Sequence, residues 1–584
     1  MLDCRIRRVV SCLLFSGVLL LRASWAEDAV PAPITLDNKD VAAYVVLPDV
    51  KTLINTIDGI AKQLVPPEQY KPVADQLNGM LADPDVAALI SKPILGVLFK
   101  IPAGFDPNGA APPPFAAYVP VNADSKVLDK VKEGLKDDPK AQAAYEDGLL
   151  IVATAGAMEQ AKAAKALYAK VADAKIQSGL RVYVSIASLV DTFGPMMATH
   201  LDEARDQALA EIKRSPPPPD AVAMGINQDN ASQTVRVFFK AVKGFLAQAE
   251  GFQLDIHVKP DAIQVDDIFA AKPGTLLADF FSGTVPEPSP ELQSFLAKGF
   301  IMEQAATDVK ALAAAWKKAL AEITADPLTA PLAQNELVQL ISQSLDAGAG
   351  QVVVSLVGGA NGPEVTEAFV LGDPEKFSGV MEKVMSWFAD GGVISKIYAQ
   401  MGMKFEMKFA KAARSHAGVA VDRMSVNFDD PRMPKEAAEK MKAFMPQPEF
   451  AFVKNIGVMS TNPSALDMMI DKTAKGDFSP SGVTLKSVTT FGKGKNVYFD
   501  YDIVGYMKYV MTKFAPDPNA GAIFNGFKGN DPFLFSYAQT QGRMMVQVSV
   551  PLGPIFDGMK AYQMLVGGAG LAPPKQPETN KSTF

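Results

Sequence analysis

Short apolar strands followed by amphipathic helices form the dominant hydrophobic pattern of this chain. The first strand begins at Val41 and ends at Pro48, a residue that suits the first turn of a helix. The helix that follows carries on one face Val50, Leu53, Ile54, Ile57 and Leu64. Similar strand-to-helix units begin near Phe115, Leu149 and Arg181. The pattern predicts a sheet covered by helices.

Strict alternation of apolar and polar residues predicts two hairpins. Residues 252–258 alternate, and Pro260-Asp261 turns the chain into a second strand. Near the carboxyl end, residues 533–537 lead through Gln541-Gly542 into residues 544–550. Hairpins of this kind predict an antiparallel sheet with one solvated face.

Helices mixed with antiparallel hairpins predict an α+β fold, in which a mainly antiparallel or mixed sheet packs against amphipathic helices. The strand-helix units leave a parallel α/β sheet as the alternative. The order of the units recurs, because Asp49-Val-Lys51 returns as Asp308-Val-Lys310 at a helix start. Further matches join residues 115–119 with 367–370, residues 182–186 with 497–501, and the hairpin at residue 252 with that at residue 533. Two tandem, duplicated halves are therefore expected.

Proline-rich and polar stretches predict the domain boundaries. Closely spaced prolines disfavour both helix and sheet, so residues 284–290 are expected to be a linker. The predicted segments are a signal peptide at 1–26, a first half at 27–283, a second half at 291–566 and a disordered tail at 567–584.

The amino terminus has the pattern of a secretory signal peptide. Arg5, Arg7 and Arg8 precede an apolar run from Val9 to Leu21, and small residues suit cleavage after Ala26. The run is too short to span a bilayer as a helix, which disfavours the alternative of a membrane anchor. The sequence thus predicts an exported protein, periplasmic or extracellular, without a membrane span after cleavage.

Composition removes several kinds of chemistry. Both cysteines, Cys4 and Cys12, lie in the predicted signal, so disulfides, thiolate nucleophiles and cysteine metal sites are not expected in the mature chain. With 57 basic and 64 acidic residues and no basic run interleaved with aromatics, nucleic acid is not an expected partner. The mature protein is expected to be soluble.

Three segments carry a resemblance to a known group of proteins. The start YVVLPDV, the strand DGLLIVAT and the closing VQVSVPLGPI, together with the export signal, resemble large exported bacterial proteins of unknown function. The resemblance covers most of the chain and implies a bacterial envelope location. It supplies no catalytic residues.

Few residues form a catalytic pattern. His200, His257 and His416 are far apart and have no partner at metal-binding spacing, and neither a Gly-x-Ser-x-Gly elbow nor a phosphate loop occurs. We assign no catalytic, cofactor-binding or metal residues and expect no cofactor. The acid pairs Asp266-Asp267 and Asp429-Asp430 leave open a hydrolase that works through two carboxylates.

Methionine is distributed unevenly. Of 25 methionines, only Met1 and five others precede residue 291. Flexible thioethers line adaptable apolar surfaces well, although ordinary core filling is the more common reason for such methionines. The candidate lining of an apolar cavity is Met403, Phe405, Met407, Phe409, Met424 and Phe428.

The leading prediction is an exported, noncatalytic binding or envelope-maintenance protein with an apolar ligand cavity in its methionine-rich second half. One alternative is a hydrolase of envelope polymers that uses paired carboxylates. Another is a structural or adhesive module that binds an envelope protein through an exposed sheet edge. The sequence predicts no oligomeric state.

Overall fold

The computed structural model describes most of the chain between Asp40 and Gly568. Within that range it leaves out residues 66, 91, 103–104, 106–111, 137, 139, 174–178, 215–227, 284–285, 287–288, 326–329, 331–334, 361, 401, 430–431, 433–446, 515–526 and 528–530. The predicted signal 1–26, most of the linker 284–290 and most of the tail 567–584 lie outside the described residues.

The protein has an α+β fold, as the sequence predicts. Its strands are β1 Val41–Leu47, β2 Ile94–Phe99, β3 Phe115–Pro120, β4 Ala141–Glu146, β5 Leu149–Thr154, β6 Leu180–Val184, β7 Ala249–Val258, β8 Ala262–Ala271, β9 Ile301–Ala306, β10 Ala349–Gly358, β11 Pro363–Leu371, β12 Lys404–His416, β13 Val419–Asp429, β14 Glu449–Val453, β15 Ile456–Ser460, β16 Val497–Tyr501, β17 Phe533–Thr540 and β18 Arg543–Pro551. Its helices are α1 Val50–Leu64, α2 Pro67–Ala82, α3 Pro84–Ile90, α4 Lys126–Gly134, α5 Met158–Ala163, α6 Ala166–Asp173, α7 Ile186–Arg214, α8 Gln228–Gln248, α9 Leu276–Phe280, α10 Pro290–Gln293, α11 Val309–Thr324, α12 Glu336–Ala347, α13 Pro374–Phe388, α14 Val393–Gln400, α15 Pro463–Lys475, α16 Lys486–Phe491, α17 Ile503–Phe514 and α18 Leu552–Gly568.

All the described strands join one continuous sheet. From edge to edge, the hydrogen-bonded order is β12-β13-β14-β15-β11-β10-β9-β16-β17-β18-β8-β7-β6-β1-β2-β3-β5-β4. Every pair of strands in the described part of the chain is antiparallel, so the parallel α/β alternative is wrong there. The two predicted halves share this sheet through the pairing of β8 with β18.

The strands of the two halves follow the same pairing order. In the first half the order is β4-β5-β3-β2-β1-β6-β7-β8, and in the second it is β14-β15-β11-β10-β9-β16-β17-β18. The hairpin β12–β13 is extra to the second series. Each strand match made from the sequence joins equivalent places in the two orders. Origin by duplication stays a prediction.

Side-chain caps fix where the helices of both halves begin. Asp49 accepts a hydrogen bond from the backbone of Thr52 at 2.8 Å, and Asp308 accepts one from Ala311 at 3.0 Å. An aspartate at this position satisfies a backbone N–H that has no partner within the helix. The two Asp-Val-Lys motifs are therefore helix starts, as the sequence predicts.

Helices cover both faces of the sheet. On the first face, α5 and α6 close one core, and α10, α15 and α16 close another. On the second face, Phe245 of α8 stacks on Phe269 of β8 at 5.2 Å, and Phe377 of α13 lies 5.3 Å from Phe369 of β11. Between the two cores of the first face, the side chains of β7, β8 and β18 are largely polar.

Helix boundaries refine two of the predicted segments. Ser289 donates its backbone N–H to the side chain of Gln351 at 2.5 Å, and Pro290 begins α10. The end of the predicted linker therefore belongs to the fold of the second half. Helix α18 continues to Gly568, so the first two residues of the predicted tail are helical.

Candidate functional site

The residues predicted to line a ligand cavity lie on or beside the hairpin β12–β13. Its register places Phe405 opposite Phe428, Met407 opposite Val426, and Phe409 opposite Met424. Side chains alternate between faces along a strand, so five of the six predicted residues share one face of the hairpin. Met403 immediately precedes β12.

This face of the hairpin packs against neighbouring elements. The ring of Phe405 stacks on Tyr398 of α14 at 4.7 Å and lies 6.2 Å from Phe388 of α13. Phe409 stacks on Phe450 of β14 at 5.7 Å. The aromatic rings of the predicted lining therefore pack within the chain, although all six residues are only half-buried, and Met407 and Phe409 also line a depression of about 520 Å³ beside α13.

Ion pairs fasten the hairpin to the rest of the second half. Glu449 of β14, which is 1% exposed, accepts a hydrogen bond at 2.8 Å from Arg414 of β12 and another at 2.8 Å from Arg423 of β13. Arg414 also donates to Asp467 of α15 at 2.6 Å. Removing one partner of such a buried set leaves an uncompensated charge, so the hairpin depends on all of them.

The predicted acid pairs do not bring two carboxylates together. Asp266 and Asp267 are consecutive in β8, so they project from opposite faces of the sheet. Asp429 ends β13, and residue 430 lies outside the described residues. Asp255 does lie opposite Asp266, but Arg181 holds Asp255 through hydrogen bonds of 2.5 and 2.6 Å.

The polar side of the β7–β8 hairpin is buried, so the prediction that it is solvated is wrong. Gln253 is 2% exposed and Asp255 is 5% exposed. These side chains bond to one another, since Gln253 donates to Asp255 at 3.0 Å, and His257 Nε2 lies 3.1 Å from Asp266. Neighbouring side chains therefore provide the hydrogen bonds that water would provide at an exposed position.

One lysine from the second half joins this buried polar centre. Burial lowers the pKa of Lys495 to about 8, while the nearby carboxylate of Asp266 acts in the opposite direction. Burial raises the pKa of Asp266, but hydrogen bonds from His257 and Gln264 outweigh it, and the net pKa lies below its usual value. The centre thus links the two halves electrostatically.

An apolar groove opens between α17 and α18. Its volume is about 620 Å³, within the range of small-ligand sites. It is lined by Ile503, Val504, Phe527, Pro554, Ile555, Gly558 and Met559. None of these residues carries an ionisable or hydrogen-bonding side chain. The groove therefore suits a hydrocarbon chain better than a polar ligand.

Helix α18 forms one wall because its residues divide between two faces. Leu552 and Phe556, four positions apart, are 4% and 6% exposed and face the interior. Ile555 and Met559 have the same spacing but are 43% and 41% exposed. Residues four apart lie one above the other on a helix, so the second pair forms an apolar strip towards solvent.

Helix α17 forms the other wall. The side chain of Asp502 caps it by accepting a hydrogen bond from the backbone of Gly505 at 2.7 Å. Tyr509 anchors the helix, because its hydroxyl donates to the carbonyl of Gly359 at 2.8 Å. Ile503 and Met507 remain 46% and 41% exposed. The groove thus lies between two fixed helices whose adjoining apolar side chains are open to solvent.

Comparisons with protein-family models, with curated proteins and with solved structures found no match.

The described residues add two further findings. Among them, no helix combines the length and the apolar character that crossing a membrane requires. No group of three or more histidine, cysteine or acidic side chains in this part of the chain is arranged to hold a metal ion.

The sequence contains a signal for the groove that methionine content alone does not show. Helix α17 spans Ile503–Phe514. Its apolar residues occupy more of the helix than one buried face needs, and the same is true of the apolar residues of α18. An excess of apolar positions on neighbouring helices leaves exposed apolar surface, and contiguous surface of this kind is typical of interaction sites.

Proposed function

We propose that this protein is an exported, noncatalytic binding protein that holds the hydrocarbon chain of an apolar ligand in the groove between α17 and α18. The groove carries the proposal, because three of its large apolar lining side chains, Ile503, Ile555 and Met559, are more than 40% exposed. Exposed apolar area of this extent is unfavourable in water, and a ligand that covers it gains the free energy of removing that area from water.

Several features of the groove favour an alkyl chain as its ligand. The described lining is almost entirely apolar, and none of its side chains has a charge or a hydrogen-bonding group that a ligand would need to satisfy. Met559 and the adjoining Met507 have flexible thioethers, which adapt to chains of different shape. The groove lies in the methionine-rich second half, although its residues are not those of the predicted hairpin lining.

Export rests on the pattern of residues 1–26, and envelope maintenance remains one role that such a carrier would serve. The amino terminus of the protein recovered from outside the cytoplasm tests this part. We expect that terminus to be Glu27. A chain that retains residues 1–26, or that stays in the cytoplasm, would contradict export without bearing on the groove.

Filling the groove tests the binding proposal. At Gly558 a Cβ atom would lie 3.5 Å from the ring of Phe527, an ordinary contact, so the side chain of Gly558→Leu would occupy the groove. Leucine also has a higher helix propensity than glycine, so α18 should remain folded. We expect the variant to bind a fluorescent long-chain fatty acid at least about tenfold more weakly than the wild type.

Gly244→Leu is the matched control. Gly244 lies within helix α8 outside the groove, and only the side chain of Gln248, at 3.8 Å, is near a Cβ atom built there. This variant should bind the probe as the wild type does. The proposal fails if the wild type takes up no probe, or if Gly558→Leu binds it with unchanged affinity.

A further inference from the structure

Strand β12 is one edge of the sheet. Among the described residues it pairs only with β13, so its outer side presents backbone N–H and C=O groups without strand partners. A depression of about 520 Å³ runs beside residues 406–410 of this edge and extends to the end of α13. Lys408 and Ala410 are exposed there. The edge therefore has free space along it.

Only part of β12 is regular enough to pair with another strand. Residues 404–410 pair with residues 429–423 of β13 without interruption, and the register then shifts between Ala410 and Arg414. Ala412 has a left-handed φ of 45°, which bends the strand beyond that point. Seven residues, Lys404 to Ala410, are thus available as a template.

We propose that this segment pairs with the same segment of a second copy of the chain, antiparallel and centred on Met407. This register places Phe405 opposite Phe409 of the other copy and Met407 opposite Met407. It also places Glu406 opposite Lys408 of the other copy, and two-fold symmetry repeats that pair. Opposite charges directly across two strands stabilise their pairing.

Charge selects this register over its neighbours. Side chains of paired residues must lie on the same face, so one strand can slide past the other only by two residues at a time. Each such slide moves the centre of the two-fold pairing by one residue. Centring the pairing on Glu406 would place Lys404 opposite Lys408, and centring it on Lys408 would place that residue opposite itself. Like charges across strands are destabilising. The register on Met407 uses all seven regular residues and opposes no two lysines.

The role of Glu406 in the isolated chain agrees with this arrangement. Its side chain is 10% exposed and lies 3.3 Å from the ammonium group of Lys408, which is itself 71% exposed. Lysines on an edge strand ordinarily prevent pairing, and an acid between them offsets that effect. A second Lys408 from the other copy would give Glu406 a further cation.

The protein already contains a junction of the same kind. Strands β8 and β18 hold equivalent places in the two halves, and they join these halves by antiparallel pairing over nine residues. Pairing through β12 would extend the sheet of one copy into the sheet of the next by the same geometry.

Charge reversal tests the proposal in the chain from Glu27 onward. We expect this chain to form a dimer by sedimentation equilibrium, and Lys408→Glu to raise the dissociation constant at least about tenfold, because two Glu–Glu oppositions replace two ion pairs. Lys408 is exposed, so this variant should fold. The double variant Glu406→Lys, Lys408→Glu should restore the dimer, since it recreates both pairs with their charges exchanged.

A disulfide trap tests the register independently. Residues 27–584 contain no cysteine, so a single introduced one reports its own neighbours. Met407→Cys should crosslink two copies, because residues directly opposite across strands are about 5 Å apart at Cα and within disulfide reach. Ala410→Cys should not, because two Ala410 residues would lie about 20 Å apart in this register.

Several outcomes would overturn the inference. A wild type that stays monomeric up to about 100 µM would exclude a stable β12 dimer. A dimer that persists in Lys408→Glu and leaves Met407→Cys uncrosslinked uses another surface. Equal crosslinking of Met407→Cys and Ala410→Cys would mean random collision in place of this register. The fatty-acid probe need not respond to any of these changes.

Discussion

Two apolar surfaces in the second half differ in what covers them. The face of β12–β13 that carries Phe405 is packed under α13 and α14, with ring contacts as close as 4.7 Å. The groove between α17 and α18 has no such layer in the described residues, and Ile555 is 43% exposed. Both surfaces contain methionine, but the rings of the hairpin face have aromatic partners within the chain, whereas several apolar side chains at the groove are more than 40% exposed.

The difference shows that apolar composition and an available binding surface are separate properties. The rings of Phe405 and Tyr398 stack on one another within the chain, so the hairpin face contributes to stability. Ile555 and Met559 are exposed, so their side chains contribute little to the stability of the fold. We therefore expect substitutions at the hairpin to change the free energy of unfolding, and substitutions at the groove to change ligand affinity.

The largest effect on stability is expected at the anchor of the packed hairpin. Glu449→Gln removes the charge that pairs with Arg414 and Arg423 in a buried position, and it should lower the free energy of unfolding by about 3 kcal/mol. Urea denaturation measures this change.

Glu159→Gln is the control for the anchor, because the side chain of Glu159 is 89% exposed and pairs only with a neighbouring lysine. It should change stability by no more than about 0.5 kcal/mol. Equal effects of the two variants would mean that the ion pairs do not hold the hairpin.

A smaller effect is expected from truncating one aromatic ring of the packed face. Phe405→Ala loses contacts with Tyr398 and Phe388, and because the ring is only partly buried we expect a loss of about 2 kcal/mol. Ile555→Ala should cost less than about 1 kcal/mol, since that side chain is largely exposed.

The same two variants should reverse their order when ligand affinity is measured. Ile555→Ala should weaken binding of a fluorescent fatty acid, and Phe405→Ala should leave it unchanged while the protein is folded. If Phe405→Ala abolished binding and Ile555→Ala did not, the ligand would lie at the hairpin, and the assignment of the ligand site to the groove would be wrong.

The smallest expected effect is a loss of hairpin stability at acid pH, which ligand binding in the groove should not share. The hydrogen bond from His416 is the main reason that the pKa of Asp471 lies below its usual value, and Lys475 acts in the same direction. Stability from a depressed carboxylate pKa is present at neutral pH and is lost as the pH falls below 3.8 through the lower folded-state value. Hydrogen exchange in residues 404–429, corrected for intrinsic rates, should rise across that range.

Asp471→Asn should remove part of this rise. Binding of an uncharged alkyl probe should stay constant over the same range while the protein is folded, because the lining of the groove has no ionisable group. A parallel loss of probe binding and hairpin protection would mean that the two surfaces are coupled.

Local sequence signals predicted much of the fold. Alternation at residues 252–258 and the turn at Gln541-Gly542 identify the two central hairpins, and Asp49 and Asp308 identify helix starts. These features depend on neighbouring residues alone. The continuous sheet could not be predicted in the same way, because pairing of β8 with β18 joins residues far apart in the chain.

The candidate site was less predictable than the fold. Phe405 attracts attention as part of an apolar cluster, but it packs against Phe388 of α13 and Tyr398 of α14, and sequence spacing does not show that contact. The buried position of Asp255 depends likewise on Arg181 from a separate strand. The exposure of Ile555 follows only when Leu552 and Phe556 are known to face inward.

Native mass spectrometry of the protein purified from its own compartment would show whether the groove between α17 and α18 holds a ligand. We expect a mass excess that disappears on denaturation, is absent from Gly558→Leu and is retained by Gly244→Leu. A wild type without bound ligand, or an excess that persists in Gly558→Leu, would contradict the groove between α17 and α18 as the ligand site.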